Sequence, residues 1–294
     1  MGGSPYTDLN RPPLKEAALR RALVVPDSLW TELRVAPETG STNADVAAAA
    51  RAGAAEGLIL VAESQTAGRG RLERTWLAPA RSSLTLSILL RPAVPAPRLG
   101  WLPLLAGVAL VQAVGRIAVV DAVLKWPNDL LVRSAAAPAD YGKCAGILAE
   151  AVTGGAPSDG APSGGETAVV LGIGLNVTQA ADELPGARAN LPATSLALVG
   201  AASTDRDPLL RGILRTFADW YGRWVEAVGD PEAAGLAAAY RESCFTLGQQ
   251  VAVSLPAGEV IEGTAVAIDD DGQLVVSTDR GDRPVAAGDV EHVR

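Results

Sequence analysis

The chain has 294 residues, of which 48% are hydrophobic, so it can bury a large core and is expected to form one large domain and a small one. Its formal net charge of −8 argues against general nucleic-acid binding, which requires a basic surface. One histidine and two cysteines exclude a histidine-based catalytic triad, a histidine-rich zinc site and a disulfide framework, and they fit a reducing cytoplasm.

The first 28 residues predict no folded domain of their own. Residues 1–28 are broken by prolines and lack the apolar core of a signal peptide, so we interpret them as a loose lead-in. The helix-like patch at 14–23 is interpreted as a short packing or frayed element. The longest apolar stretch, 99–114, contains Gln112 and is too short to span a bilayer comfortably. We therefore expect a cytoplasmic protein without membrane contact.

We predict a catalytic domain over residues 29–242. Residues 29–39 alternate like a strand, and 41–53 predict a helix in which Thr42 and Asp45 are spaced as a capping box. Further apolar runs predict strands at 57–63, 83–92, 142–152 and 167–177, and a pair of strands joined by a Pro-Asn-Asp turn at 123–132. Helical periodicity covers 99–118, 207–229 and, more briefly, 231–241.

Two segments differ in pattern from the rest of the chain. The Gly/Pro/Ser-rich segment 153–166 predicts a mobile hairpin loop inserted in the catalytic domain. From Phe245 onward, short strands alternate with turn residues such as Asp271-Gly272. This alternation predicts a small β-barrel domain over residues 245–294.

The segment ESQTAGRGRLERTW, residues 63–76, is unusually basic for an acidic chain. Glycines let its backbone close around a ligand, guanidinium groups match phosphate oxygens bidentately, and Trp76 offers an aromatic wall. We interpret this arginine loop as one that orders over a phosphorylated ligand and excludes water, with a solvated surface turn as the alternative. The residues concerned are Gly68, Arg69, Gly70, Arg71 and Arg74.

Two motifs place further charged groups beside predicted strands. In KWPND, 125–129, a turn alone would explain the pattern, but Asn128 could read a polar ligand group, and Asp129 could hold a magnesium–phosphate group or accept a proton from an amine. In GKCAGIL, 142–148, Lys143 either extends to solvent or points into a site, where it could polarise a carboxylate and a phosphoryl oxygen together.

Glycines and hydroxyl groups mark two more candidate binding positions. Gly146 would leave room for a ligand at its strand, and GIGLN, 172–176, is interpreted as a strand over which a ligand lies, with Asn176 as a polar contact. As a dinucleotide motif GIGLN is incomplete, because the third glycine is missing. Ser41 and Thr42 are interpreted first as helix caps, although a helix N-terminus also offers hydroxyl and N–H groups to a polar ligand.

Taken together and in this order, these motifs resemble those of a biotin–protein ligase. The resemblance covers about residues 39–200, and the small C-terminal barrel fits the same family. It implies an α+β fold: a mixed central β-sheet flanked by helices, like the class II synthetase core of biotin and lipoate ligases, with an SH3-like barrel at the C-terminus. The motifs are GSTN (40–43), ESQTAGRGR (63–71), TW (75–76), SLTLSILL (83–90), KWPND (125–129), GKCAGIL (142–148) and GIGLN (172–176).

The resemblance also implies a two-step reaction. The carboxylate of biotin attacks the α-phosphate of ATP, with Mg²⁺ on the phosphates, to give biotinoyl-5′-adenylate and pyrophosphate. The ε-amine of one lysine on a biotin carboxyl carrier domain then attacks the adenylate and releases AMP. The implied partner is the carrier protein or domain of an acyl-CoA or pyruvate carboxylase. No metal bound by the protein itself is expected.

Residue by residue, the resemblance implies three overlapping groups. The residues that match biotin-binding positions are Ser41, Thr42, Gln65, Gly68, Arg69, Gly70, Arg71, Lys143, Gly146 and Leu148. The residues that match positions around ATP and the adenylate are Arg71, Arg74, Trp76, Asn128, Lys143 and Asn176. Lys143 matches the catalytic lysine, and the expected catalytic set is completed by Arg71, Lys125 and Asp129.

Three alternative functions fit the sequence less well. A lipoate–protein ligase shares the fold, but its arginine–glycine-rich loop ends in His-Asp, which this chain lacks. A DNA-binding repressor that uses the adenylate as corepressor would need a winged helix, and the roughly forty proline-rich residues before GSTN are too few for one. A pure biotin-binding module would not need Lys143 or the arginines. We expect a monofunctional ligase without specific DNA binding, as a monomer or weak homodimer.

Overall fold

The computed structural model describes residues 11–71, 74–134, 141–152, 167–186, 191–256 and 258–293. The predicted loop 153–166 lies outside the described residues. In chain order, the helices and strands are α1 (Glu16–Leu23), β1 (Glu32–Ala36), α2 (Thr42–Arg51), β2 (Leu58–Ala62), β3 (Ser83–Leu90), α3 (Trp101–Ile117), β4 (Ala122–Lys125), β5 (Asp129–Arg133), β6 (Tyr141–Val152), β7 (Ala168–Asn176), α4 (Arg206–Glu226), α5 (Leu236–Ser243), β8 (Gln250–Ser254), β9 (Val260–Ile268), β10 (Leu274–Thr278), β11 (Gly281–Val285) and β12 (Asp289–His292). Two short 3₁₀ helices lie at Ala96–Gly100 and Ala181–Glu183.

The first seven strands form one mixed sheet in the order β1-β2-β3-β7-β6-β5-β4. Only β1 and β2 pair in parallel, and the other neighbours are antiparallel. Helices α3 and α4 pack against one face of this sheet, and α2 packs on the other, over β2, β3, β6 and β7. The expected α+β core, with a mixed sheet flanked by helices, is confirmed.

Strand β3 shows how the sequence divides the sheet into an apolar and a polar face. All eight of its residues are buried. Because successive side chains point to opposite faces, Leu84, Leu86, Ile88 and Leu90 enter the main core, while the hydroxyl groups of Ser83, Thr85 and Ser87 point to the α2 side. A buried hydroxyl needs a hydrogen-bond partner, so the α2 side is where a polar site can form.

The apolar stretch around α3 is longer than its sequence pattern predicted. The 3₁₀ turn at Ala96–Gly100 continues into α3, and the segment Ala96–Ile117 is long and apolar enough to cross a membrane by length and composition. Within the fold, however, α3 packs against α4, α5 and the sheet, and 61% of the most apolar window is buried. Its place as the central core helix accounts for its composition.

Two helix starts differ from the predicted ones. The N-cap of α2 is Ser41, whose extended backbone and side-chain oxygen, 3.5 Å from the Ala44 amide, suit that position, so the prediction of Ser41 as a cap is confirmed. The capping box predicted at Thr42 and Asp45 is wrong by one residue. Helix α5 begins at Leu236 and not near residue 231, because Gly235 takes a φ of +71°, which interrupts a right-handed helix.

Residues 11–28 are packed, in contrast to the loose lead-in that we expected. Helix α1 puts Leu19 and Leu23 into the main core against α4 and β1. The carboxylate of Glu16 accepts a hydrogen bond of 2.8 Å from the Val35 amide. The helix-like patch is therefore a packing element, while the domain boundary placed after residue 28 stays a prediction.

A buried ion pair joins the start of the arginine loop to α4 and to the N-terminal segment. Arg206 Nη1 lies 2.6 Å from Glu63 Oε2, with side chains only 5% and 8% exposed. The other carboxylate oxygen of Glu63 accepts a 2.6 Å hydrogen bond from the Leu14 amide, and Arg206 donates to the carbonyl of Pro12. Both charges are compensated by several partners, as burial requires.

Replacing Arg206 by methionine is expected to lower the free energy of unfolding by about 3–5 kcal/mol, because Glu63 would be left as a buried, unpaired charge. Urea denaturation with a spectroscopic probe measures the change. Arg241→Met is the matched control: its pair with Glu232 is exposed, so a loss of about 0–1 kcal/mol is expected. Equal, small losses in the two variants would contradict the stabilising role of the buried pair.

The C-terminal strands form a second, antiparallel sheet in the order β11-β10-β9-β8-β12, which agrees with the predicted small β domain. The turn between β9 and β10 docks it on the first domain. There the indole N–H groups of Trp101 and Trp126 donate to the carbonyls of Asp270 and Gly272, at 2.9 and 3.1 Å. Gly100 allows this close approach, since a Cβ at that position would lie 2.2 Å from the Asp271 carbonyl oxygen.

Candidate active site

A cavity of about 670 Å³ lies on the α2 side of the sheet, between α2, the arginine loop and β12 of the C-terminal domain. It collects nearly all of the residues that the sequence singled out. Those that line it are Ser41, Thr42, Gln65, Arg69, Gly70, Arg71, Arg74, Trp76, Lys125, Asn128, Asp129, Lys143, Gly146, Leu148 and Asn176. The cavity thus brings together motifs from residues 41 to 176.

The exception is Gly68, which does not line the cavity. A Cβ at this position would lie 2.3 Å from the carbonyl oxygen of Trp76 and 2.5 Å from Nε2 of Gln65. Its own carbonyl accepts a 2.8 Å hydrogen bond from the Trp76 amide. Gly68 therefore lets the two arms of the loop approach each other, and its expected contact with biotin stays a prediction.

Backbone hydrogen bonds tie the described part of the arginine loop to the start of α2. The amides of Thr66 and Ala67 donate to the carbonyls of Thr39 and Gly40, at 3.0 and 2.8 Å. Further along, the Gly70 amide donates to the carbonyl of Arg74 at 2.6 Å, closing a small hairpin. These bonds make the described part of the loop one wall of the cavity.

Uncharged polar groups form the end of the cavity nearest α2. Gln65 Oε1 accepts hydrogen bonds from the amide and hydroxyl of Thr42, at 2.7 and 3.0 Å. The hydroxyl of Ser87 lies 2.7 Å from the Thr42 hydroxyl and 2.5 Å from Asn43 Oδ1. Ser41 caps α2 beside them. This network can both donate and accept hydrogen bonds, as recognition of an uncharged polar ligand group requires.

Arg69 is placed at the edge of this polar end and not over the cation-rich part. Its guanidinium lies 3.5 Å from the carboxylate of Glu150, which also accepts a 2.7 Å hydrogen bond from Asn43 Nδ2. Asn43, Ser87 and Glu150 are site residues that our sequence reasoning did not select. The polar alternation along β3 could have indicated Ser87, but Glu150 carries no local signal.

Trp76 lies flat against two glycines that face each other on β6 and β7. Gly146 and Gly174 are register partners. A Cβ at position 174 would lie 2.4 Å from Cε2 of Trp76, whereas one at position 146 would lie 3.4 Å from Cζ3. The glycines therefore clear the sheet surface for the indole of Trp76, and a ligand lying over GIGLN stays a prediction.

Because a Cβ at position 174 would overlap the indole of Trp76, the substitution Gly174→Ala tests the position of this side chain. The added methyl group should push the indole out of place, changing tryptophan fluorescence and raising the KM for ATP by roughly 5- to 100-fold, the equivalent of about 1–3 kcal/mol of overpacking. Gly146→Ala is the matched control, since its Cβ would make only an ordinary contact with the ring. Indistinguishable fluorescence and KM values in the two variants would contradict this arrangement.

Four cationic side chains line the part of the cavity between KWPND and the C-terminal domain. They are Arg71, Arg74, Lys125 and Lys143. Lys143 Nζ lies 2.6 Å from Asp129 Oδ1, so this lysine points into the site and does not extend to solvent. Burial lowers the pKa values of Arg71 and Lys125, and the charge of Asp129 partly offsets this. Partly desolvated cations of this kind interact strongly with phosphate oxygens.

Both asparagines of the predicted site use their amides within the protein. Asn128 donates to the carbonyl of Ile147 at 2.9 Å and accepts from Arg71 at 3.4 Å. Asn176 donates to the carbonyl of Thr194 and accepts from Gln179, both at 2.9 Å. Asn128 therefore orients Arg71, and Asn176 fixes the end of β7, in addition to lining the cavity.

The C-terminal domain contributes Asp289 and Glu291 to the cavity wall. Asp289 forms two hydrogen bonds with the guanidinium of Arg74. Partial burial by itself would raise the pKa of Asp289, but the hydrogen bonds and charge of Arg74, with Lys125 and Arg71 nearby, lower it overall. Burial, with a smaller effect of Lys125, lowers the pKa of the adjacent His292 to about 4, so this imidazole is neutral at pH 7.

The remaining predictions concern a metal ion and Cys144. Among the described residues, no group of three His, Cys, Asp or Glu side chains could hold a metal ion. Cys144 is fully buried, burial raises the pKa of its thiol, and its Sγ donates to the carbonyl of Asn176 at 3.3 Å. This thiol has a packing role.

Comparison with known proteins agrees with the site. Residues 39–161 match the biotin/lipoate A/B protein ligase family, and residues 246–293 match the biotin protein ligase C-terminal domain. The biotin--[acetyl-CoA-carboxylase] ligase of Mycobacterium tuberculosis is 41% identical over 292 residues, 98% of each chain. The bifunctional ligase/repressor BirA of Bacillus subtilis is 30% identical over 278 residues, covering 95% of this chain and 76% of BirA.

Solved structures give the same result. The biotin protein ligase of Aquifex aeolicus in complex with biotin and ATP superposes with a TM-score of 0.69 at 25% identity, over 90% of this chain and 100% of that one. The arginine loop, the KWPND turn, the lysine of β6 and the C-terminal domain meet at one cavity, and the relatives are ligases over nearly the whole chain. This chain belongs to the biotin–protein ligase family.

Proposed function

We propose that the cavity between α2, the arginine loop and β12 is the place where this ligase activates biotin with ATP and then transfers it to a lysine of a carrier domain. The observation that carries the proposal is the division of one cavity into an uncharged polar end and a cationic end. A substrate with a neutral polar ring at one end and a carboxylate at the other would fit across it, with its carboxylate next to the phosphate chain of ATP.

The first step forms one bond and breaks one. A carboxylate oxygen of biotin attacks the α-phosphorus of ATP, and the bond from that phosphorus to the bridging oxygen breaks, leaving its electron pair on pyrophosphate. Mg²⁺ enters with the nucleotide as the counter-ion of its phosphates. Positive charge near the α-phosphate stabilises the negative charge that builds up on its oxygens, and Lys143 is suitably placed for this role among the cations of the cavity.

At the uncharged end, the hydrogen-bond network suits the cyclic urea of biotin, which has one carbonyl acceptor and two N–H donors. Thr42, Asn43 and Gln65 place hydroxyl and amide groups in this part of the cavity, and their bonds to one another and to Glu150 would be exchanged for bonds to the urea. Because these groups already bond to one another, their orientations are set before the ligand arrives. Such preorganisation lowers the cost of binding.

In the second step, the lysine amine of the acceptor attacks the acyl carbon of the adenylate. The acyl C–O bond breaks, and AMP leaves with its electron pair. The attacking nitrogen must lose a proton, for which Asp129, at the KWPND turn, is the nearest carboxylate to Lys143.

The chemistry of the acceptor follows from the family. A relative covering 98% of this chain is named for acetyl-CoA carboxylase, so the partner that we propose is the biotin carrier domain of such a carboxylase. We further propose that the protein acts in the cytoplasm, as a monomer or weak homodimer, and without specific DNA binding. The net charge of −8 supports the last of these points.

Biotin-dependent ATP–pyrophosphate exchange, followed by transfer of labelled biotin to a purified carrier domain, tests the proposed function. Both activities are expected with biotin and neither with lipoate. Exchange that depends on lipoate and not on biotin would overturn the substrate assignment. A gel-shift with operator DNA, in the presence of biotin and ATP, is expected to show no specific complex.

A further inference from the structure

We propose that, in the free enzyme, the carboxylate of Asp289 in the C-terminal domain binds the guanidinium of Arg74. When ATP binds, its phosphate chain replaces Asp289 as the partner of Arg74. This inference rests on the proposed function. It makes Asp289 a residue that positions Arg74, and with it the arginine loop. Asp289 and Arg74 are 215 positions apart, yet both terminal nitrogens of the guanidinium bond to the one carboxylate.

The ion pair between Arg74 and Asp289 can be broken at low cost. The side chains of Arg74 and Asp289 are 39% and 40% exposed. Ion pairs this exposed contribute little to stability, because solvent screens them and holding two long side chains costs entropy. The buried pair between Arg206 and Glu63, by contrast, could not be opened without leaving a desolvated charge. Of these two ion pairs, only that between Arg74 and Asp289 can change partners at low cost.

The C-terminal domain does not depend on this pair for its position. Its firm attachment is the β9–β10 turn, where two buried tryptophans donate to the carbonyls of Asp270 and Gly272 and the backbones meet at Gly100. Asp289 can therefore lose Arg74 while the domain stays docked.

The carboxylate of Asp289 lies at the guanidinium of Arg74, where we expect a phosphate group of ATP to bind. A carboxylate and a phosphate both accept two parallel hydrogen bonds from one guanidinium, so they compete for the same donor face. Besides Arg74, the charges of Lys125 and Arg71 act on Asp289 and help to lower its pKa. A carboxylate close to three of the four cavity cations repels the phosphate chain, so the phosphate chain must displace it from Arg74.

The exchange has a consequence for the intermediate. Once pyrophosphate has left, the adenylate carries a single phosphate, and Arg74 can return to Asp289. The returning arginine then stands beside the remaining phosphate, at the part of the cavity wall that Asp289 forms. Asp289 is thus expected to weaken ATP binding slightly and to reduce the loss of the adenylate to water.

The test is Asp289→Asn, compared with Asp282→Asn, a charge-matched control on the exposed part of β11. In the first variant, the KM for ATP is expected to fall about three- to fivefold, which corresponds to the free energy that an exposed ion pair contributes. The KM for biotin is expected to stay constant. Release of free adenylate in the absence of acceptor is expected to rise by a similar factor. Asp282→Asn should match the unmutated enzyme in both measurements.

A ligand-free measurement separates this inference from the proposed function. Hydrogen exchange of the Gly70 amide, which bonds to the Arg74 carbonyl, should be faster in Asp289→Asn than in Asp282→Asn without any substrate. An unchanged or higher KM for ATP, or unchanged exchange at Gly70, would overturn the inference. Absence of biotin-dependent pyrophosphate exchange in the unmutated enzyme would instead overturn the proposed function and leave the Gly70 result standing.

Discussion

Substituting Lys143 by alanine is expected to lower the rate of biotin-dependent ATP–pyrophosphate exchange by roughly 10²–10³, the usual cost of removing one preorganised group that stabilises transition-state charge. The ammonium group of Lys143 is held at 2.6 Å by Asp129 inside the cavity and so is positioned before the substrates arrive. Without it, the negative charge that develops as the carboxylate approaches the α-phosphate loses a nearby cation. Asp129 would also lose its partner and add a repulsive charge.

Two controls distinguish this effect from a general loss of charge or stability. Thermal unfolding should show that Lys143→Ala is folded. Lys125→Ala removes a cation from the same cavity but leaves the pair between Lys143 and Asp129 intact, and it should impair transfer to the acceptor more than exchange. Undiminished exchange in Lys143→Ala would refute the role of this lysine in the first step.

The parts of the structure that the sequence predicted well are those governed by local periodicity. The alternation of leucines with hydroxyl-bearing residues along β3, and the Pro-Asn-Asp turn between β4 and β5, specify both the element and the face that is polar. The cavity residues of β6 do not follow from strict alternation. Lys143 and Gly146 lie three positions apart, which alternation would place on opposite faces of the sheet. The register between β5 and β6 shifts between Leu130 and Leu131, however, and both residues line the cavity.

The predictions of helix starts failed where a single backbone angle, or a single competing hydrogen bond, decided where the helix begins. Gly235 takes a left-handed conformation that no composition rule requires, and it delays the start of α5. Thr42 has the chemistry of an N-cap, but its hydroxyl is used by Gln65, and Ser41 takes the capping position.

Contacts between residues far apart in the chain had no signal in the sequence. Glu150 binds Asn43 and Arg69 across 107 and 81 positions, and Asp289 binds Arg74 across 215. Each is an ordinary acidic residue in its own segment, and only the folded chain brings it to the cavity. As a consequence, two of the three described arginines of the loop, Arg69 and Arg74, already pair with carboxylates, which the motif alone does not reveal.

Arg71 is the remaining arginine, and Arg71→Ala is expected to raise the release and hydrolysis of the adenylate, without acceptor present, by roughly 10- to 100-fold, the equivalent of a charged hydrogen bond of about 1.5–3 kcal/mol. Burial lowers the pKa of Arg71, and the hydrogen bond that Arg71 donates to Oδ1 of Asn128 is long at 3.4 Å. A guanidinium that is desolvated but loosely held gains most from a phosphate, so its removal should weaken retention of the adenylate.

The first step should survive in Arg71→Ala, because Lys143 and Lys125 still supply positive charge to the cavity. The decisive quantity is therefore the ratio of free adenylate released to biotin transferred, measured with radiolabelled ATP. Arg69→Ala is the matched control, since this arginine is half-exposed and pairs with Glu150 at the other end of the cavity. An adenylate lifetime in Arg71→Ala equal to that in the control would show that the buried arginine does not retain the intermediate.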